Sequence, residues 1–214
     1  MKKIGHALLT FIFLSVFLCS ISIKTYSKPK GVIINGLTEL KNLDTTFSLD
    51  LKYATKDNFT GKVLYKKAIA IININTGKKL IKANNFLKQY GYHIKIYDAY
   101  RPYSIQKLMW KIYPNKKYLA DPKKGSIHNR GCAVDITMVD KNGVEAPMPS
   151  KFDEFSERAH INYTGASKVE ISNRELLAKA MTSNGFRRIS NEWWHFDDLN
   201  YKLYPILDIG FENF

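Results

Sequence analysis

Ser126-Ile127-His128-Asn129-Arg130-Gly131-Cys132-Ala133-Val134-Asp135 is the stretch on which the reading turns. A β-branched run follows it (Val134, Ile136, Thr137, Val139), so residues 132–139 read as a buried strand. Asp135 inside such a strand needs a partner, because an uncompensated buried charge is costly. On a flat strand the spacing from His128 would put the two side chains on opposite faces. Gly131 permits a turn or bulge through which a loop histidine and a strand aspartate converge. The plain alternative is a loop histidine beside an ordinary surface aspartate.

Downstream, Glu192-Trp193-Trp194-His195 adds a carboxylate and a second imidazole, and reads as a loop entering a strand. Alone, these would be a surface acid and a core histidine. With the upstream stretch they form another set: two His and one Asp as ligands, an open position for water, and Glu192 as base. That is what a catalytic zinc site needs, and the donor types suit zinc well. His93 and His160 lack such context and read as structural. Trp193 and Trp194 read as core or pocket wall. Arg101 lies in Tyr97-Asp98-Ala99-Tyr100-Arg101-Pro102, at a strand-to-helix junction that can aim a fixed cation at an oxyanion. Its alternative is a surface pair with Asp98.

The rest of the chain supplies a scaffold. Phe47, Leu49, Leu51 and Tyr53 alternate, predicting a half-buried strand over 46–53. Residues 68–74 are apolar and fit either strand or helix. Thr76 can cap a helix to about Tyr90, and 93–98 reads as a short strand. Pro102 opens a helix with Ile105, Leu108, Met109 and Ile112 on one face, ended by Pro114. Ser172 and Glu175 offer a capping box for a helix closed at Gly185, and 186–189 and 193–196 are the last strands. Strands and helices do not alternate regularly, so the expected fold is α+β, a single domain with a largely antiparallel central sheet.

The 214 residues suit one domain over 28–214 after a targeting segment at 1–27. Lys2 and Lys3 precede an uncharged apolar run over 7–23, the layout of a secretory signal peptide. Ser20 and Ser22, or Thr25 and Ser27, fit a cleavage site, and the run is also just long enough to anchor in a membrane. Cys19 hints at lipidation, against which bulky Leu18 argues. On any of these readings the domain works outside the cytoplasm. Removing Lys2, Lys3 and Lys24 lowers the net charge from +14 to +11. The lysines are scattered and no nucleic-acid-binding motif accompanies them, so a generic basic surface is expected and no nucleic acid partner. Cys132 is then a lone thiol, read as a small buried residue.

The pattern Ser-x-His-x-x-Gly-x-Ala-x-Asp over 126–135, followed by Glu-Trp-Trp-His over 192–195, resembles the D-alanyl-D-alanine dipeptidases of the VanX type, a branch of the zinc D,D-peptidases of peptidase family M15. Residues 50–61, 97–102 and 148–153 also look like family segments, and the resemblance covers roughly 45–207. It implies one zinc per chain held by His128, Asp135 and His195. It implies Glu192 as general base, Arg101 as transition-state stabiliser, Asp153 as partner of the substrate ammonium, and Tyr53 and Ser126 as further contacts to D-Ala-D-Ala. Pattern alone does not single out the last three. The alternatives are a carboxypeptidase or endopeptidase acting on peptidoglycan stem peptides, or a non-catalytic wall-binding protein. Two departures stand out. The stretch between Arg101 and Ser126 is short beside the resistance enzymes, and export would separate this chain from the cytoplasmic dipeptide pool on which they act.

Overall fold

In the computed structural model, residues 31–214 are described, and the targeting segment expected at 1–27 lies outside them. Among the described residues no helix is long and apolar enough to cross a membrane. The chain runs β1 (Ile33–Ile34), β2 (Leu37–Glu39), β3 (Ser48–Leu49), β4 (Ile71–Asn73), α1 (Ile74–Lys88), β5 (Tyr92–Asp98), α2 (Tyr103–Ile112), β6 (Ala133–Asp140), α3 (Lys168–Thr182), β7 (Phe186–Ile189) and β8 (Glu192–Asp198). A five-stranded sheet has the order β3-β5-β6-β8-β7, antiparallel except for the β3–β5 pair. A smaller antiparallel sheet has the order β1-β2-β4. The fold is α+β with a largely antiparallel central sheet, as the irregular succession of elements predicts.

β6 lies at the centre, and its period-two alternation divides core from site. Val134, Ile136 and Met138 join Leu80 and Leu87 of α1 and Leu177 and Met181 of α3 in the main core. Asp135 therefore points to the other face. Across the sheet Asp98 of β5 sits beside Asp135, and Asp135 beside His195 of β8. Three polar side chains of one row thus come from three strands.

Local structure departs from the sequence expectations at four places. The strand expected over 46–53 is limited to Ser48–Leu49, and a 3-10 turn over Lys52–Ala54 follows. That turn buries Tyr53, whereas Leu49 is 45% exposed. Residues 71–73 are strand, and Asn73 caps α1 by accepting from the N–H groups of Asn75 and Thr76. Thr76 lies inside the helix instead, donating its hydroxyl to Asp198. The capping box of α3 is Ser167 with Glu170, not Ser172 with Glu175, which lie within the helix. In α2, Leu108 is 42% exposed while Gln106 is buried, because Gln106 turns inward to accept from Arg101. Cys132 is buried as expected, and burial pushes its thiol up to about 12.

Candidate active site

The stretch from Ser126 folds as a 3-10 turn over Ile127–Arg130 that ends at Gly131 in the left-handed region, φ 65°. A Cβ at Gly131 would meet Leu37 at 2.5 Å and the Asn73 backbone nitrogen at 2.8 Å, so the position favours glycine on two counts. Ser126 caps the turn by accepting from the N–H of His128, and Asn129 returns a bond to the Ser126 backbone. The turn places His128 over the row, with Nδ1 3.7 Å from Asp98 Oδ2 and Nε2 3.4 Å from Asp135 Oδ2.

His128 Nδ1 lies 2.7 Å from the carbonyl oxygen of Ala99. A carbonyl only accepts, so Nδ1 carries the hydrogen and Nε2 is left with its lone pair. His195 is oriented in the mirrored sense: its Nε2 lies 2.8 Å from Asp197 Oδ1, which leaves Nδ1 facing inward. Those inward nitrogens are 3.3 Å apart. Asp135 completes the group, with Oδ1 3.0 Å from His195 Nδ1 and Oδ2 3.4 Å from His128 Nε2. Four-coordinate zinc with bonds of about 2.0–2.1 Å separates its ligands by about 3.3 Å, so the donor set fits that ion. Burial opposes the charged form of His195, but the flanking Asp135 and Asp197 carboxylates outweigh it and raise its pKa well above the usual histidine range. Burial likewise works against Asp135, yet the two imidazoles hold its carboxyl well below the usual range.

Glu192 opens β8 where the β7–β8 register slips: Arg188 pairs with Phe196, whereas Ile189 pairs with Glu192. This irregularity lets residues three apart reach the same cavity. Glu192 Oε2 is 3.9 Å from His195 Nδ1, and burial pushes its carboxyl up to about 7. Arg101 is buried, not at the surface, although it does pair with Asp98. Its Nε and Nη2 donate to Asp98 Oδ2 at 3.0 and 2.7 Å, and Nη1 donates to Gln106 at 2.9 Å. Nη2 is also 3.8 Å from Asp135 Oδ2.

Asp153 adopts φ 57°, an uncommon conformation for a non-glycine residue. Its hydrogen-bond donors among the described residues are both neutral. Tyr53 donates its hydroxyl at 3.2 Å, and Phe59 donates its backbone N–H at 3.4 Å. Burial, with Asp135 adding to it, pushes the Asp153 carboxyl well above its usual range. Burial and Asp153 do the same to the Tyr53 hydroxyl.

Tyr53, Arg101, Ser126, His128, Asp135, Asp153, Glu192 and His195 all line one cavity of about 330 Å³. Every site residue singled out from the sequence is therefore at one place. Sequence reasoning missed Asp197, which orients His195, and Gln106, which holds Arg101, and it named Asp98 as a partner of Arg101 only at the surface. Asp197 carried a readable signal: a carboxylate in an apolar strand two residues beyond His195, the same argument applied to Asp135. His93 contacts Ser48 at the far end of β5, and neither it nor His160 lines this cavity.

Peptidase family M15, D-ala-D-ala dipeptidase, matches residues 34–208. The chain is 38% identical over 184 residues to a D-alanyl-D-alanine dipeptidase of Escherichia coli K12, covering 85% of this chain and 95% of that one. A second D-alanyl-D-alanine dipeptidase, from Enterococcus faecium, is 33% identical over 185 residues, covering 75% and 90%. Among solved structures, VanYB in complex with D-alanine-D-alanine aligns with a TM-score of 0.40 and 18% identity, over 63% of this chain and 75% of that one. The family match and the length shared with these dipeptidases lead to one assignment: the chain is a peptidase of the M15 D-ala-D-ala dipeptidase family.

Proposed function

We propose that this enzyme hydrolyses D-Ala-D-Ala to two D-alanines with one zinc ion per chain held by His128, Asp135 and His195. The observation that carries the reading is the shared cavity, in which three mutually facing metal donors, a buried glutamate and a carboxylate without a cationic partner among the described residues converge. Zinc in a three-ligand site supplies Lewis acidity and acidifies water. Glu192 takes the proton of the attacking water and passes it to the leaving amine, a task suited to a carboxyl lifted towards neutrality. Arg101, fixed by Asp98 and Gln106, stabilises the developing oxyanion. Asp153 receives the substrate ammonium with Tyr53 beside it, and Ser126 contacts the dipeptide from the His128 turn. An N-acylated peptide brings no cation to Asp153, and the unmatched carboxylate disfavours it.

The signal-like segment at 1–27 supports export, and the substrate is then dipeptide released from the wall rather than a cytosolic pool. Fractionation tests this: activity in the extracytoplasmic fraction is expected, and purely cytosolic activity contradicts it. The catalytic proposal is tested by following D-alanine release from D-Ala-D-Ala beside N-acetyl-D-Ala-D-Ala. Preference for the free dipeptide supports it, and equal turnover of both moves the enzyme to wall trimming.

A further inference from the structure

Phe59 lies at the ammonium end of the cavity. Its backbone N–H donates to Asp153, and its ring packs at 5.4 Å from that of Phe155, two residues beyond Asp153. Phe155 is itself stacked, with Tyr118 at 4.5 Å and 15° and Tyr113 at 5.8 Å and 14°. This aromatic group joins three separate segments, and the segment carrying Tyr118 is tied down further. Asn191 donates to the carbonyl of Lys117 at 2.7 Å, and Gln106 donates to that of Ala120 at 2.7 Å. Beyond the wall there is room. Phe59 and Asp153 also line a second groove of about 910 Å³, which carries Lys52, Lys56 and Lys151.

We propose that Phe59, backed by Phe155 and Tyr118, is a steric specificity determinant that closes the cavity behind the substrate ammonium and keeps N-terminal extensions out of the outer groove. This rests on the dipeptidase reading above, and adds shape to the charge selection by Asp153. The two are separable because any residue except proline at position 59 keeps the backbone donor to Asp153. Removing the ring opens the passage while leaving the carboxylate and its hydrogen bonds in place.

The test compares release of the C-terminal D-alanine from D-Ala-D-Ala, N-acetyl-D-Ala-D-Ala and L-Lys-D-Ala-D-Ala by the zinc-loaded full chain, F59A, F155A and D153N. Thermal melts accompany each, and Y118A is a milder opening if F59A fails to fold. With the wall as determinant, F59A or Y118A raises the absolute kcat/KM for an extended substrate by about tenfold or more, whereas D153N lowers kcat/KM for the dipeptide without raising it for the extended substrates. A gain in D153N with none in the aromatic variants overturns the wall and leaves the dipeptidase reading intact. Wild-type turnover of extended substrates as fast as the dipeptide, or no turnover of the dipeptide, overturns both.

Discussion

His128 Nε2 and His195 Nδ1 face each other across 3.3 Å, each turned inward by an acceptor on its far side, the Ala99 carbonyl for one and the Asp197 carboxylate for the other. Asp135 reaches both nitrogens, at 3.0 Å from His195 Nδ1 and 3.4 Å from His128 Nε2, so three donor atoms face one point and suit a shared cation. The backbone carbonyl that orients His128 is set by β5, while Asp197 is a side chain and can be replaced.

Asp197→Asn is therefore expected to weaken zinc affinity by about 10–100-fold, because the outer partner fixes both the tautomer and the basicity of a ligating imidazole. Competition against a chromophoric chelator measures this directly. Arg187, which pairs with Asp197 at 3.1 Å from a partly exposed position, has a smaller effect when changed to alanine.

Glu192→Gln keeps the shape of the cavity and the metal but removes the base. A fall in kcat of about 10²–10⁴ is expected with zinc content unchanged. In the wild type, a base must be unprotonated, so kcat/KM falls as pH drops through the Glu192 titration. Burial, set against the charged groups around it, puts that at about 7, and a neighbouring cation favours the carboxylate, so the acid limb of the metal-loaded enzyme is expected below 7. An acid limb that persists in Glu192→Gln would assign it to another group.

Arg101→Ala leaves Asp98 buried beside the site without its guanidinium partner. Breaking one side of a buried pair costs about 3–5 kcal/mol, which a denaturant titration reads. Arg101→Lys retains a cation but loses the fork that reaches both Asp98 and Gln106, and kcat is expected to fall by about 10²–10³ with a smaller loss of stability.

Asp153→Asn separates stability from function. The raised pKa means that ionising Asp153 destabilises the folded chain, so stability falls as pH rises through its folded-state value. The neutral amide removes that cost. A higher melting temperature is expected at neutral pH, together with a weaker KM for D-Ala-D-Ala; a lower melting temperature would contradict the charge argument.

Much of this site was legible in the chain, for reasons that differ by residue. Asp135 betrayed itself as a charge in an apolar strand, and Gly131 as the break that lets His128 approach. Tyr53, Asp153 and Ser126 came only from resemblance to the family, since a tyrosine at the end of an alternating run or an aspartate in a loop has no local signature. The Arg101–Asp98 pair was legible but its burial was not, and Gln106 depended on where Arg101 would point, which the junction alone does not determine. Gln106 was hidden by the apolar face of α2, whose Leu108 faces outward while the glutamine takes the buried place. The capping errors have one cause: candidate caps recur a few residues apart, Asn73 with Thr76 and Ser167 with Ser172, and each helix starts at the earlier one, at α3 through the Ser167–Glu170 capping box.

The most direct test of the central claim is D-alanine release from D-Ala-D-Ala by the full chain, with zinc content measured in parallel before and after chelation. Activity that tracks about one zinc per chain, disappears on chelation and returns on adding zinc is the predicted result. Undiminished hydrolysis by metal-free protein, or a fully zinc-loaded protein that releases no D-alanine, would contradict it.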